Sequence, residues 1–236
     1  MKQRIALSWS SGKDSSLALY ELRRSGAYDI RCLLTTVTED YQRVSMHGVR
    51  EDVLRGQAAA VGLPLTIIRI PRECSNETYE ERLRDGLARL KDEGVTAVAF
   101  GDIFLEDVRR YREEKNALAG LESLFPLWGR STADIVDDFL RLGFKALTTC
   151  IDGAKLAERF LGRTLDRDFF AELPPGVDPC GENGEFHTFA FGGPVFSHDL
   201  DVALGERVRR GQFAFCDVLL RQDIGGASQG ILQRDR

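Results

Sequence analysis

The chain has 236 residues, 43% of them hydrophobic, with a formal net charge of −5 and an isoelectric point of about 5.4. This length allows one large domain or two modest ones around a sizeable core. The acidic balance, with Lys and Arg scattered rather than gathered into a stripe, argues against nucleic acid as the main partner.

No run of eighteen apolar residues and no signal-peptide pattern occurs, so a soluble, cytoplasmic protein without a membrane partner is expected. Five widely spaced cysteines (Cys32, Cys74, Cys150, Cys180, Cys216) with no CxxC pair argue against a disulfide framework and against tetrahedral zinc.

In the first half, apolar runs alternate with amphipathic stretches. Strands are predicted at Ile5–Ser8, Ile30–Val37, Leu65–Ile70 and Ala97–Phe100. Helices are predicted at about Ser15–Ser25, Val49–Val61, Glu77–Glu93 and Glu106–Leu118. Strand–helix–strand repeats of this length imply crossovers and a parallel sheet covered by helices on both faces. Ligands of such sheets bind outside the carboxyl ends of the strands.

At the first such end stands Ser8-Trp9-Ser10-Ser11-Gly12-Lys13-Asp14-Ser15. A strand that ends in small hydroxyl residues and a glycine, then opens a helix, aims backbone N–H groups and a helix dipole at one point. Ser8, Ser10, Ser11 and Ser15 add short donors, Gly12 permits close approach and Lys13 adds a positive charge, which makes a polyphosphate cradle. It is not a Walker loop, because Leu7 stands where that motif needs glycine and Asp14 where it needs Ser or Thr.

Ser45-Met46-His47-Gly48-Val49-Arg50 follows the second strand, and Met46 and His47 are candidate nucleotide contacts. Gly101 and Asp102 end the fourth strand. Asp102 is a candidate for holding Mg2+ or ordering the loop, and Asp14 is the other candidate metal ligand. Arg109 and Arg112, three apart on the next helix, project from one face and are candidates to clamp a substrate carboxylate or phosphate.

Beyond Phe125-Pro126-Leu127-Trp128-Gly129 the texture changes. A helix from Ser131 or Thr132 to Leu142, a strand Phe144–Ile151, a short helix Lys155–Leu161 and a turn at Leu173–Gly176 are predicted. A hairpin pairing Phe186–Phe191 with Val195–Ser197 and a final strand Phe213–Leu220 complete the pattern. The predicted organisation is a first domain over 1–143, a smaller α+β domain over 144–221 and a disordered tail over 222–236.

The second dense constellation is Asp178-Pro179-Cys180-Gly181-Glu182-Asn183-Gly184-Glu185-Phe186-His187-Thr188. Glu185 and His187, two apart at a strand start, share a face and suit amine or ammonia binding or proton transfer. Glu182 and Thr188 are further candidate substrate contacts. Nothing adjacent to Cys180 would make it a nucleophile.

The Ser10–Ser15 segment resembles the PP-loop, written SGGKDS, of the N-type ATP pyrophosphatases, with Ser11 in place of the first glycine. Together with Ser45–His47, Gly101-Asp102-Ile103 and its downstream arginines, Pro126-Leu127-Trp128 and Gly181–Thr188, it resembles the diphthine–ammonia ligase-like proteins over roughly residues 4 to 220. That resemblance implies a HUP-type (Rossmann-like) α/β domain that binds ATP, with Mg2+ as cofactor, and a C-terminal domain shaping the acceptor site. The implied chemistry is adenylation of a small-molecule or protein carboxylate, release of pyrophosphate, and displacement of AMP by ammonia. Lys13, Asp14, Glu185 and His187 would be the catalytic group. A homodimer is a candidate assembly.

Eukaryotic and archaeal ligases read Glu-Phe-Glu-Thr where this chain has Glu185-Phe186-His187-Thr188. The histidine form resembles the bacterial branch, and bacteria make no diphthamide. A different substrate is therefore expected, and amidation in cobalamin-precursor salvage is one role proposed for that branch. Two readings from other classes stay open: a non-catalytic adenine-nucleotide sensor and a PP-loop RNA-modifying enzyme.

Overall fold

The computed structural model describes residues 1–44 and 47–221. Met46 and the predicted disordered tail, 222–236, lie outside the described residues. The first half runs β1 (Gln3–Ser8), α1 (Lys13–Ser25), β2 (Tyr28–Thr38), β3 (Arg43–Val44), α2 (Glu51–Val61), β4 (Leu65–Ile70), α3 (Asn76–Asp92), β5 (Ala97–Ala99), α4 (Glu106–Leu118) and β6 (Glu122–Leu124). The second half runs α5 (Thr132–Arg141), β7 (Lys145–Asp152), α6 (Arg167–Ala171), β8 (Phe186–Gly192), β9 (Val202–Arg210) and β10 (Phe213–Leu220).

The fold is α/β. β4, β2, β1, β5 and β6 pair in parallel in that order, and the two-residue β3 adds antiparallel to the end of β2. Period-two alternation puts successive side chains of β1 on opposite faces. Ile5 and Leu7 join one core with α1, α2 and the C-terminal sheet, while Ala6 joins another with Leu87 and Leu90 of α3 and Ala119 just beyond α4. Helices therefore cover both faces. A second, antiparallel sheet in the order β8–β7–β10–β9 packs on the outside of α1 and α2, through β8 and β10 respectively.

The register carries a consequence for the site. β1 pairs with residues 28–34 of β2, and β3 pairs with Val37 and Thr38 on the same edge, because β4 occupies the other. Where β1 ends, β3 takes over its edge, so His47, three residues beyond β3, comes close to Gly12 in the segment that leaves β1.

The structure corrects two expectations and adds a strand. Lys155–Leu161 forms only a single 3-10 turn, Glu158–Phe160, in which Phe160 drops into the core. A segment of seven residues has little helical stability of its own, so the burial of Phe160 decides its backbone. The hairpin partner Val195–Ser197 is not a strand. Ser197 is tied to the end of α2 through two bonds to the Ala60 carbonyl, at 2.8 Å from its N–H and 2.9 Å from its hydroxyl. β8 pairs with β7 instead, and β9, which flanks β10 on the other side from β7, escaped prediction. It is an edge strand whose outer positions carry Glu206, Arg209 and Arg210, and charge is characteristic of guarded edges.

Candidate active site

The chain leaves β1 through Trp9 and Ser10, reverses at Ser11 and enters α1 at Lys13. Ser11 has φ of 71°, the left-handed region, at the one position where the PP-loop pattern has glycine instead. Its hydroxyl is buried without a hydrogen-bond partner among the described residues.

The reversal is held from outside the loop. Gln57, fully buried on α2, donates to the carbonyls of Ser11 (3.0 Å) and Ala190 (2.6 Å) and accepts from the Trp9 indole N–H (2.7 Å). Ala190 N–H donates to the Ser11 carbonyl (2.8 Å), so β8 grips the loop directly. Gly12 is required by close approach: a Cβ there would stand 3.0 Å from Thr188 Oγ1 and 3.2 Å from His47 Cε1. Ser15 and Ser16 both bond back to the Gly12 carbonyl, at 3.0 and 2.9 Å.

Lys13 is buried. Its ammonium donates to Asp14 Oδ1 (2.5 Å) and to the Cys180 carbonyl (2.7 Å), and its backbone N–H donates to Thr188 Oγ1 (3.0 Å). Burial disfavours the charge, yet Asp14 and Glu182 outweigh it and raise the pKa above that of an ordinary lysine. Burial pushes Asp14 upward against the pull of Lys13.

A cleft of about 760 Å3 opens over this cradle. One wall is polar and contains Ser8, Ser10, Asp14, Ser15, Thr35, His47, Gly101, Asp102, Glu182, His187 and Thr188. A second, apolar wall contains Ile68, Ile70, Leu83, Leu87, Phe100, Val108 and Tyr111 from β4, α3, α4 and the end of β5. That volume lies in the usual range for small-molecule sites.

Burial lifts Glu182 to about 7, aided by the charges of Asp14 and Asp102. His47 and His187 lie with ring centroids 4.7 Å apart. His47 Nδ1 is 3.1 Å from the Thr188 carbonyl, which can only accept, so Nδ1 carries the proton. Burial, then the neighbouring ring, lowers His47 to about 3, and burial with Lys13 lowers His187 to about 4. Both imidazoles are neutral at physiological pH. Burial lifts Cys180 to about 12, which removes it as a nucleophile.

The structure thus brings Ser8, Ser10, Ser11, Gly12, Lys13, Asp14, Ser15, His47, Gly101, Asp102, Glu182, His187 and Thr188 to one place. Arg112 also lines the cleft, paired with Asp102 at 2.5 Å. Arg109 does not. Its guanidinium lies over Phe125 (5.0 Å) and Trp128 (4.7 Å) and bonds Glu113, so the two arginines do not close on one ligand.

Glu185 and His187 also separate. Glu185 precedes the pleat of β8, and its Oε1 accepts from Asp178 N–H (3.1 Å) and Asn183 (3.3 Å) within the loop. Gln57 escaped the sequence reading although it left a trace: it is the polar exception on the apolar stripe Val53, Leu54, Ala58, Val61 of α2. The apolar wall was not foreseen, because its residues are far apart in the chain.

Residues 2–122 match the family model described as diphthamide synthase N-terminal domain, and residues 131–224 match the diphthamide synthase C-terminal domain. The chain belongs to the diphthamide synthase family. Among curated proteins it is similar to a diphthine–ammonia ligase of Homo sapiens, 28% identical over 91% of this chain and 88% of that protein. It is also similar to one of Danio rerio, 31% identical over 68% of this chain and 69% of that protein. The two matched parts of this diphthamide synthase family member supply opposite halves of the site: Lys13 and Asp14 from the first, Glu182, His187 and Thr188 from the second.

No group of three or more His, Cys, Asp or Glu forms a ready metal cage among the described residues. Mg2+ in nucleotide enzymes is characteristically held by one or two carboxylates together with phosphate oxygens. Asp14 and Asp102, both on the polar wall and close enough to Glu182 to raise its pKa, fit that demand. No helix among the described residues is long and apolar enough to cross a membrane.

Proposed function

We propose that the protein is a cytoplasmic, AMP-forming carboxylate–ammonia ligase that uses ATP. The observation that carries this reading is the buried Lys13 ammonium in the first turn of α1, bonded to Asp14 and to the Cys180 carbonyl, two residues that line the cleft. In this reading the segment to residue 143 binds the nucleotide and residues 144–221 shape the acceptor side.

The triphosphate lies over Ser10–Ser15, where Lys13 and the first amides of α1 offset its charge, and the adenine rests on the apolar wall. Asp14 and Asp102 would hold Mg2+, which offsets the charge that builds on the departing pyrophosphate. An oxygen of the acceptor carboxylate attacks the α-phosphorus and the bond to the β-phosphate oxygen breaks. Ammonia then attacks the acyl carbon, the C–O bond to AMP breaks, the proton released passes to solvent, and His187, neutral and facing the cleft, offers ammonia a hydrogen-bond partner. Glu185 braces the Asp178–Glu185 loop that carries Glu182.

His187 stands where the diphthine-modifying ligases carry glutamate. The acceptor is therefore a carboxylate other than diphthine, one that meets a neutral ring instead of a second anion.

The test is product analysis by mass spectrometry with ATP, Mg2+ and ammonium, with and without a pool of cell metabolites. Metabolite-dependent AMP and pyrophosphate are expected, with one metabolite losing a carboxylate oxygen and gaining an amide. ADP would overturn the mechanism, and ATP left intact under every condition would favour a nucleotide sensor.

A further inference from the structure

The turn that carries His47 is closed at its base by backbone bonds from Val44 N–H to the Val49 carbonyl (2.8 Å) and from Glu51 N–H to the Gln42 carbonyl (2.9 Å), yet the same base brings two cations together. β3 has two residues, and Arg43 and Arg50 face each other across the base of the turn as an isolated antiparallel pair. Like charges directly opposite each other destabilise a strand pair. Both guanidiniums converge instead on one carboxylate from the other sheet. Asp217 on β10 accepts from Arg43 Nη1 at 2.7 Å, and from Arg50 Nε at 2.8 Å and Nη2 at 2.6 Å. Arg43 Nη1 also donates to the Gly48 carbonyl (2.7 Å), and the Phe215 ring packs against Gly48 from two residues before Asp217.

The base of the turn is therefore clamped by β10, while its far side places His47 against Gly12 and the Thr188 carbonyl. Asp217 is itself buried at its carboxylate, 9% exposed, and its Oδ1 takes the Val218 N–H at 3.1 Å, so its orientation is set by its own strand.

We propose that Asp217 is a positioning residue: through Arg43 and Arg50 it holds His47 over the phosphate loop, so that the C-terminal sheet sets nucleotide affinity. This rests on the reading of the cleft as an ATP site. Asp217 touches no ligand in this account. Its carboxylate offsets one of the two positive charges at the base and fixes the height of the turn above Gly12. Removing it leaves opposed cations at the base, and the turn lifts.

The experiment compares Asp217→Asn with wild type by calorimetric titration of ATP–Mg2+ and by proton NMR of the histidine Hε1 signals, which number three in this chain. Asp138→Asn is the control, since Asp138 pairs with Arg130 and Arg141 on α5, away from the cleft. Asp217→Asn is expected to weaken ATP binding about tenfold, the scale of one lost charge-assisted contact, and to shift the His47 signal. Asp217→Glu is expected to recover part of the affinity, and Asp138→Asn is expected to lower the melting temperature alone.

Unchanged ATP affinity and an unchanged His47 signal in Asp217→Asn would overturn the proposal. So would an equal loss of affinity in Asp138→Asn. If wild-type protein binds no ATP, the nucleotide reading falls, and the His47 signal still decides whether Asp217 positions the turn.

Discussion

Lys13 and Thr188 lie 175 residues apart in the chain, and the Lys13 backbone N–H donates to Thr188 Oγ1 at 3.0 Å. This bond joins the first residue of α1 to the third residue of β8, so the cradle is complete only when the antiparallel sheet has docked on the parallel one.

Thr188→Val keeps the shape and removes that acceptor. A buried N–H left unpaired costs about 1–3 kcal/mol. We expect a lower denaturation midpoint at an unchanged slope, together with a raised KM for ATP. Wild-type stability in the variant would show that the bond contributes nothing net.

Lys13→Ala should reduce turnover by at least about 100-fold, the scale seen when one preorganised donor is removed from a charge-stabilising site. The fold should survive, because Asp14 already has an upward-shifted pKa and takes up a proton once its partner is gone. Steady-state kinetics and circular dichroism measure the two effects separately.

Ser11→Gly should stabilise the protein. The left-handed conformation costs a residue with a Cβ roughly 1–2 kcal/mol, and among the described residues the buried Ser11 hydroxyl has no partner to offset it. A rise in the urea midpoint is expected, and a fall would mean that the hydroxyl has a partner in solution.

The pH dependence has two opposed parts. His47, lowered to about 3, and His187, lowered to about 4, stay neutral in the fold but gain protons below about 6.5 when unfolded. The unfolded state then binds more protons, so stability falls as pH drops below that value. Glu182, raised to about 7, keeps its proton in the fold where the unfolded chain loses it, so its contribution falls as pH rises from the ordinary carboxylate value toward 7. Glu182→Gln should therefore be more stable than wild type at pH 7, with the gain shrinking toward pH 4.5. His47 and His187 should show flat NMR titrations between pH 5 and 8.

Much of the site was legible because its residues are neighbours in sequence. Ser8–Ser15 and Gly181–Thr188 each carry their own turn chemistry, and local steric rules decide such turns without help from the rest of the chain. Gln57 was half legible, as a polar break in an apolar helical stripe. Arg109 was misleading: helical spacing put it beside Arg112, but Phe125 and Trp128 attract its guanidinium from outside the helix. Val195–Ser197 misled for a similar reason, since its β propensity yielded to the Ala60 carbonyl at the end of α2.

The sequence by itself determined the alternation of strands and helices, the parallel sheet and the cradle at the end of β1, because hydrophobic period and backbone sterics act over a few residues. Only the tertiary structure decided that β8 closes the cradle through Thr188 and Ala190. It alone decided that His47 meets His187, that Asp217 clamps Arg43 to Arg50, and that apolar residues of β4, α3 and α4 line the same cleft as Ser10, Asp14 and Ser15. These are contacts between segments tens to more than a hundred residues apart. Packing and desolvation select them only once the whole core has formed, and no local pattern encodes which partner will be there.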